Sequence, residues 1–379
     1  MDTVFQPYFL AYMRLLYIIN NYSFGGLNRV TSEKANYFLK KGYEVHLLCT
    51  DNSSEIDVKS IYAAGVVHHT IDRKKLNRLQ HIPVVGKMLR FIYYRIKMWM
   101  ILLFVNPDTI IVTLPVLEPL SILILTFWKR RIMEFHGYYT PPGFSITKND
   151  KFAFKYRFAF YHLYALTERE AKIVSNLSHH PVGVMPNPLY ELPQNYSDCT
   201  AKNVITTARF CYQKNLDSII PYWKQIEDRH PDWQLLLMGR GDDKEKMQAT
   251  ITDNHLKTVK ILPYSTDVGS KLVNSSIYIL PSRFEGFPLV LLECMSYGVP
   301  AVAYDCPCGP TEIIRDGFDG FVTEYMNPQA LMDKVQMLIE NEMLRKEMGQ
   351  RARKDIQRYK LDVIMGKWEK IYRGIFAKE

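Results

Sequence analysis

Two glutamates, Glu285 and Glu293, lie eight positions apart in an apolar segment that reads SRFEGFPLVLLECMSYGVPAV from residue 282. A carboxylate can accept several hydrogen bonds, which suits the vicinal hydroxyls of a sugar. The alternative is a helix-capping acid followed by an acid on a solvated helix face. That alternative explains Glu285 passably and Glu293 poorly, because the neighbours of Glu293 are apolar: Leu291, Leu292, Cys294 and Met295.

A helix is predicted to start near Leu289, directly after the strand-like run SIYILPS and a short loop. Pro288 falls at its first turn, where a missing N–H costs nothing. The amides of Leu289 and Val290 are then free to point at an anion. The segment therefore combines an anion site at a helix start with two carboxylates that can face the same cavity.

Cations and glycines follow two other predicted strands. Arg209 and Lys214 come after the run NVITTAR, just before a helix, where two cations suit a diphosphate. Taken singly, each is more often a surface cation. Gly25 and Gly26 follow the first strand and would let backbone approach a ligand, but they equally fit a tight turn. Since the full G-x-G-x-x-G is missing, a nicotinamide cofactor is set aside.

Strand-like runs alternate with helical ones twice along the 379 residues, which predicts an α/β protein of two Rossmann-like domains facing a central cleft. The first domain spans 1–187, a linker spans 188–202 and the second domain spans 203–362. A long helical stretch over about 328–376 closes the chain, and its end, 363–379, is expected to pack back on the first domain. The predicted strands are 15–21, 43–50, 109–113, 131–137, 164–167, 203–209, 233–239, 258–264, 276–282 and 300–305. A helix is predicted over 28–42, ending at Gly42.

The excess positive charge lies entirely in the first half. Residues 1–187 hold 23 Lys and Arg against 13 Asp and Glu, and the remainder holds 25 against 26. Residues 73–106 contain eight basic residues and no acid, interleaved with apolar and aromatic ones. A basic helix with a large apolar face is attracted to an anionic bilayer, and the alternative is a helix packed on the sheet. Nucleic acid is disfavoured, because no recognition module accompanies the patch. The proposed membrane or acceptor surface comprises Lys87, Arg90, Arg95, Lys97 and Trp99.

Composition indicates a reduced, cytoplasmic chain. The six cysteines form no C-x-x-C pair, and Cys306 and Cys308 lack further ligands for a metal. No secretory signal is evident at the start, where residues 1–12 are either a tail or an artefact of start-site choice. The most apolar span, 110–128, is interrupted by two prolines and a glutamate, which argues against a membrane crossing.

The motifs taken together resemble family 4 of the retaining glycosyltransferases, which have the GT-B fold. The similarity is carried by E-G-F-P-x4-E followed by MSYGVPAVA, and it covers nearly the whole chain. The glycine pair near 25, FHG at 135–137, LTERE, PNPL, ARFCYQKN, LLLMGRGDD, GPTEII and DGFDGFV follow in the order typical of that family. Leu27 and Asn28 depart from it, since relatives often have a small residue and then Glu there.

The resemblance implies a role for each matching residue. Arg209 and Lys214 would hold the donor diphosphate, Glu285 would bind the transferred sugar, and His136 would lie beneath that sugar near its 6-position. A base role for His136 is the weaker alternative, because a histidine in such a turn is as often simply packed. Glu293 would accept the ribose hydroxyls. The remaining donor-binding residues would be Gly25, Gly26, Phe287, Pro288, Leu289, Val290 and Gly239.

The resemblance also implies the activity. The chain would move a hexose or N-acetylhexosamine from a nucleotide-diphosphate sugar, such as a UDP-sugar, to a saccharide or lipid-linked saccharide acceptor. The product would belong to a capsule, exopolysaccharide or O-antigen made at the inner face of the cytoplasmic membrane. Metal-dependent transferases usually use an Asp-x-Asp motif, and the sequence contains none, so no metal and no cofactor is expected. A sugar-nucleotide epimerase of the same fold and a catalytically silent membrane-associated scaffold stay open as alternatives.

Overall fold

The computed structural model describes residues 13–21, 26–51, 59–71, 83–113, 126, 128–137 and 158–374. These residues divide into two compact units. The first comprises the described residues within 1–166, 171–185 and 365–379, and the second comprises 167–170 and 186–364. Within the stretch 363–379, predicted to pack back on the first domain, the described residues 365–374 are grouped with the first unit.

The described part of the first unit forms a seven-stranded parallel sheet in the order β3-β2-β1-β4-β5-β6-β7. Its core strand β1 is fully buried from Leu15 to Ile19, as expected for a parallel sheet covered on both faces. The strands are β1 Arg14–Asn21, β2 Glu44–Asp51, β3 Val67–Thr70, β4 Thr109–Val112, β5 Arg130–Glu134, β6 His162–Ala165 and β7 Val182–Val184. The helices are α1 Gly26–Lys40, α2 Pro83–Val105 and α3 Glu168–Ser178, whose first three residues are grouped with the second unit.

The described part of the second unit forms a six-stranded parallel sheet in the order β10-β9-β8-β11-β12-β13. The strands are β8 Asn203–Arg209, β9 Gln234–Arg240, β10 Val259–Pro263, β11 Ile277–Leu280, β12 Ala301–Tyr304 and β13 Gly320–Thr323. The helices are α4 Lys224–Arg229, α5 Lys244–Asp253, α6 Val268–Val273, α7 Leu289–Ser296, α8 Pro310–Ile313, α9 Pro328–Glu340, α10 Glu342–Asp355 and α11 Leu361–Tyr372. The last residues of α11 are grouped with the first unit.

All ten predicted strands are present within a few residues of their predicted bounds. The helix predicted over 28–42 is α1, and Gly42 follows it with a φ of +88°. The prediction of one helical stretch over 328–376 was wrong in detail, because it is divided into α9, α10 and α11. Asn341 separates the first two, since its side chain accepts a hydrogen bond from the Leu344 amide at 3.0 Å and caps α10.

Residues 188–202, predicted as a linker, are grouped with the second unit. The Ser197 hydroxyl donates to the Ser275 carbonyl at 2.6 Å, and the Ser197 amide donates to the Tyr297 carbonyl at 2.8 Å. Cys199 is 1% exposed, and its carbonyl accepts from the buried guanidinium of Arg345. This stretch therefore has the hydrogen bonds and burial of an ordered part of the unit.

Candidate functional site

The order in which the chain adds strands to the second sheet reverses between β8 and β11. The chain builds outward from β8 through β9 to β10, and then returns to the other side of β8 to add β11, β12 and β13. In open parallel sheets, ligands bind beside the carboxyl ends of the two strands where this reversal occurs. The loops that follow β8 and β11 are therefore the place to look for a ligand site.

Lys214 and Glu285 meet at this reversal. Lys214 Nζ lies 2.6 Å from Glu285 Oε1, and the side chains are 16% and 6% exposed. The two loops are also joined through Gln213, whose carbonyl accepts from the Arg283 amide at 2.8 Å and whose side-chain amide donates to the Phe284 carbonyl at 3.0 Å. The lysine is thus held in a defined position while its side chain still reaches solvent.

Asn215 is a positioning residue that the sequence reading did not single out. It is fully buried and lies in the left-handed region with a φ of +56°, a conformation that asparagine tolerates better than most residues. Its side-chain amide donates to the Pro281 carbonyl at 3.1 Å and so links the two loops a third time. The available signal was an asparagine directly after the predicted cation Lys214.

Arg209 is the last residue of β8, and its side chain is exposed. Gly239, predicted to bind the donor, pairs with Ala208 and lies in β9. A Cβ on Gly239 would lie 1.9 Å from the Ala208 carbonyl oxygen. This glycine therefore permits β8 and β9 to approach closely at their carboxyl ends. Whether it also contacts a ligand stays a prediction.

Helix α7 starts at the reversal with amide groups available. Pro288 is its N-cap residue, with φ −70° and ψ 99°, and its carbonyl accepts from the Leu291 amide at 2.9 Å. The amides of Leu289 and Val290 precede this bond, at positions for which a helix supplies no carbonyl acceptor. The partial positive charge of the helix start and these amides together favour an anion.

Gly309 supports the loop before α7. Its φ is +101°, and a Cβ at this position would lie 2.6 Å from Cδ of Pro288. The Glu285 amide also donates to the Pro307 carbonyl at 3.4 Å. The segment CPCGP thus packs against the loop of Glu285, and its cysteines serve this packing, since Cys306 and Cys308 are each 1% exposed.

Glu293 lies one turn inside α7 and is half-buried, between the fully buried Leu292 and Cys294. Burial raises the pKa of Tyr297, and the negative charge of Glu293 adds to that rise. Phe287, by contrast, packs its ring edge against Tyr359 with the centroids 5.5 Å apart. The structure therefore gives Phe287 a packing role and leaves its predicted donor contact untested.

His136 is held in the first unit by a buried carboxylate. Its Nε2 lies 2.9 Å from Oε2 of Glu134, and Oε1 of Glu134 lies 2.5 Å from Nζ of Lys34. Burial works against the charge of Glu134, but Lys34 and the hydrogen bond from His136 outweigh it, so the pKa of Glu134 is lowered. Lys34 and Glu134 were missed because the sequence pattern marks both positions as core. Gly26 begins α1, whereas Gly25 lies outside the described residues.

Helix α2 exposes an apolar stripe, as expected for the large apolar face predicted for this segment. Arg95, Lys97 and Trp99 are partly buried, while Lys87 and Arg90 have side chains outside the described set. In the part of the chain that the structure describes, we find no helix long and apolar enough to cross a membrane. The exposed residues along α2 are Met88, Leu89, Ile92, Ile96, Met100, Leu103 and Phe104.

All six cysteines are free thiols. Within the described ranges, no group of three or more His, Cys, Asp or Glu side chains is arranged to hold a metal ion.

The two Rossmann-like sheets define a GT-B fold. HepE from Anabaena, crystallised with UDP, has the same fold with a TM-score of 0.78 at 16% identity, covering 96% of this chain and all of that chain (100%). Residues 193–355, within the second unit, match the family model described as glycosyl transferases group 1. The match lies wholly within the second unit and covers less than half of the whole chain.

Two curated relatives extend this result. Amylovoran biosynthesis glycosyltransferase AmsD of Erwinia amylovora is 34% identical over 169 residues, which cover 44% of this chain and 47% of that protein. An uncharacterized glycosyltransferase of Haemophilus influenzae is 25% identical over 373 residues, 94% of this chain and 98% of that protein. The first alignment thus spans about half the length of AmsD, and the second spans nearly all of its relative.

Proposed function

We propose that this protein is a retaining glycosyltransferase that uses a nucleotide-diphosphate sugar, such as a UDP-sugar, without a metal ion. The observation that carries the proposal is the Lys214–Glu285 pair, which lies where β8 and β11 diverge and beside the start of α7. The family match over 193–355 and the GT-B fold support the same conclusion.

The donor diphosphate binds to the positive groups of the second unit. Breaking the bond to the anomeric carbon leaves a nucleotide diphosphate with additional negative charge, and a transferase must stabilise that charge as it develops. Lys214 and Arg209 supply full positive charges, and the amides of Leu289 and Val290 supply hydrogen bonds. Lys214 is held in place by Glu285, so little reorganisation is needed when the charge appears.

The sugar hydroxyls bind to the acidic residues. Glu285 has a second carboxylate oxygen beyond the one that contacts Lys214, and we assign it to hydroxyls of the transferred sugar. Glu293, half-buried in α7, accepts the two ribose hydroxyls. We assign His136, in the first unit, to a hydroxyl group of the substrate. The acceptor attacks the anomeric carbon from the face that the diphosphate leaves, and the departing phosphate takes the acceptor proton, so no protein nucleophile is required.

The acceptor is a saccharide or a lipid-linked saccharide presented at the inner face of the cytoplasmic membrane. The apolar stripe of α2 supports this assignment, because Leu103 and Phe104 are 67% and 78% exposed on a helix whose sequence carries cations and no acid. Such a helix binds an anionic bilayer through apolar burial and charge together. The AmsD similarity supports a product of the exopolysaccharide, capsule or O-antigen kind.

A donor panel tests the activity. We expect one nucleotide-diphosphate sugar to raise the thermal unfolding temperature and to be hydrolysed slowly in the absence of an acceptor. A sugar-nucleotide epimerase would convert the donor alone into an isomeric nucleotide sugar, and a scaffold would consume no donor. Product analysis by mass spectrometry and NMR separates these outcomes, and either alternative result would refute the proposal.

Vesicle sedimentation tests the membrane surface. We expect the protein to sediment with vesicles that contain anionic lipid and much less with zwitterionic ones. Replacing Lys87, Arg90, Arg95 and Lys97 by glutamine should abolish the difference between the two lipids. Replacing Leu103 and Phe104 by glutamine should weaken sedimentation with both. Activity on a water-soluble acceptor should be unchanged in both variants. Equal sedimentation of the wild-type protein and the two variants would show that α2 has only a structural role.

A further inference from the structure

The first unit contains a buried network of three side chains, Lys34, Glu134 and His136. The proposed chemistry uses only His136. Lys34 comes from α1, and Glu134 and His136 come from the end of β5 and the residues after it. The two oxygens of Glu134 are shared, Oε1 with Lys34 at 2.5 Å and Oε2 with His136 at 2.9 Å. The side chains of all three residues are between 2% and 7% exposed.

Other residues of the first unit bury the Lys34 end of this network. The ammonium group of Lys34 lies 3.8 Å from the ring centroid of Trp368 in α11, a cation–π contact. The hydroxyls of Tyr17 and Tyr372 lie 3.3 Å apart, both residues are fully buried, and the charge of Glu134 adds to the rise that burial causes in the pKa of each. Solvent and ligands therefore have no access to the lysine, and any effect of Lys34 must pass through Glu134.

The donors and acceptors that the three side chains possess determine which atom donates between His136 and Glu134. A lysine ammonium group only donates, and an ionised carboxylate only accepts. The lowered pKa of Glu134 supports its ionised form. His136 must then donate to Oε2 through an Nε2–H. In a neutral ring that donates through Nε2–H, the other nitrogen, Nδ1, carries a lone pair.

We propose that Lys34 and Glu134 are positioning residues that hold His136 as the Nε2–H tautomer, so that Nδ1 accepts a hydrogen bond from a hydroxyl group of the substrate. The assignment of this hydroxyl group to a sugar rests on the proposed function, whereas the assignment of the tautomer does not. A buried ion pair is not needed for stability, since apolar residues of similar volume often serve as well. The Lys34–Glu134 pair instead determines which ring nitrogen of His136 can accept a hydrogen bond.

The tautomer can be measured directly. In protein labelled with ¹⁵N-histidine, a long-range ¹H–¹⁵N spectrum at mildly alkaline pH separates protonated from unprotonated ring nitrogens. The signals of His136 are identified by their loss in His136→Gln. We expect a protonated Nε2 and an unprotonated Nδ1 in the wild-type protein. A protonated Nδ1, or a ring that carries both protons, would overturn the proposal.

Two substitutions test the cause. In Glu134→Gln, Lys34 still requires an acceptor and should draw the amide oxygen to itself, which turns the amide NH₂ toward His136. The ring should then change to the Nδ1–H tautomer. In the double variant Lys34→Met with Glu134→Gln, nothing holds the oxygen, so it can face His136 and the wild-type tautomer should return. If Glu134→Gln leaves the tautomer unchanged, Lys34 does not control the ring.

The chain offers a matched control in the same unit. Glu44 contacts His46 with the same two-residue spacing, at 2.8 Å, and the side chain of Glu44 is 54% exposed. In Glu44→Gln the oxygen remains free to face His46, and the signals of His46 should keep their wild-type pattern. A change there as large as that in Glu134→Gln would mean that any such substitution disturbs its histidine.

Activity gives a second readout that is separate from folding. Glu134→Gln should lower kcat about 10-fold or more with a smaller change in KM for the donor, and the double variant should recover most of that loss. If the spectra behave as expected but no glycosyl transfer is found, the proposed function fails and the tautomer assignment stands. If transfer is found and the spectra do not change, the positioning role fails alone.

Discussion

Each unit has a lysine–glutamate pair near the carboxyl ends of its strands, and the two pairs differ in what can reach them. Lys214 and Glu285 lie 2.6 Å apart in the second unit, with 16% of the lysine side chain exposed. Lys34 and Glu134 lie 2.5 Å apart in the first unit, with 2% and 4% exposed. The distances are nearly equal. Accessibility therefore separates a pair that can contact a ligand from one that acts only through a neighbour.

The same difference changes the energetic role of each pair. Lys214 is 16% exposed and can exchange its contact with Glu285 for water or a phosphate, although Glu285 itself is only 6% exposed. After removal of Lys214, water can enter the space beside Glu285. Lys34 has no such exchange, and its removal leaves Glu134 charged in a region closed to water. Removing one partner of a pair closed to water is more destabilising than removing one partner of a pair that water can reach on one side. The comparison thus predicts opposite effects on activity and stability.

The largest expected effect is on turnover. Lys214→Met should lower kcat by roughly 10²- to 10³-fold, the usual loss when one group that stabilises a developing negative charge is removed. Its thermal unfolding temperature should fall less than that of Lys34→Met. Steady-state kinetics and a thermal scan measure the two quantities.

Lys246→Met is the matched control for this variant. Lys246 pairs with Asp217 at 2.5 Å in the same unit, but its side chain is 65% exposed. We expect near-normal kinetics for this control. If Lys214→Met also turns over normally, the accessible pair does not bind the diphosphate, and the contrast between the two pairs loses its functional meaning.

The next largest effect is on stability. Lys34→Met should lower the free energy of unfolding of the first unit by about 3–5 kcal/mol, because it strands the buried charge of Glu134. The double variant with Glu134→Gln should recover most of that loss. Urea unfolding, followed by the fluorescence of Trp368 and the other tryptophans, measures both. Equal destabilisation of the single and double variants would show that packing, and not the stranded charge, is responsible.

A smaller effect is expected on nucleotide affinity. Glu293→Ala should weaken binding of the nucleoside diphosphate by about 10-fold or more, since it removes charged hydrogen bonds worth about 1.5–3 kcal/mol. Isothermal titration calorimetry measures the change, and Glu245→Ala, an exposed acid in α5, is the control. An unchanged Kd would refute the ribose assignment and leave Lys214 and the start of α7 as the supported part of the site.

The accessible pair could be predicted from the sequence, and the sealed pair could not. Glu285 and Lys214 both follow apolar runs typical of parallel strands, and such strands place their carboxyl ends on one edge of a sheet. Their direct contact joins residues 71 positions apart and needed the structure. Lys34 and Glu134 lie inside a helix and a strand whose patterns predict core packing. Nothing in a pattern shows that two charges 100 positions apart neutralise each other.

The strands that sequence reading missed share a physical reason. β3, β7 and β13 are three or four residues long and include histidine, threonine or glycine, so they lack the apolar run of a central strand. β3, β7 and β13 also lie at the edges of the two sheets, where burial is required on fewer sides. β1 and β8 could be predicted because they are long and buried. β3, β7 and β13 were missed because they are short and lie at sheet edges.

The smallest expected effect is that of a chelator, and it tests the accessible pair as a substitute for a metal. If Lys214, Arg209 and the amides at the start of α7 supply the counter-charge for the departing diphosphate, excess EDTA should change kcat by less than about twofold. Adding Mg²⁺ or Mn²⁺ afterwards should give no further rate. Loss of turnover with EDTA and its return with either ion would contradict this account, because the diphosphate would then need a cation that the protein's own groups do not replace. Repeating the titration with Lys214→Met sharpens the result: if added Mg²⁺ restores the variant but not the wild-type protein, a free cation can occupy the role that the lysine normally fills.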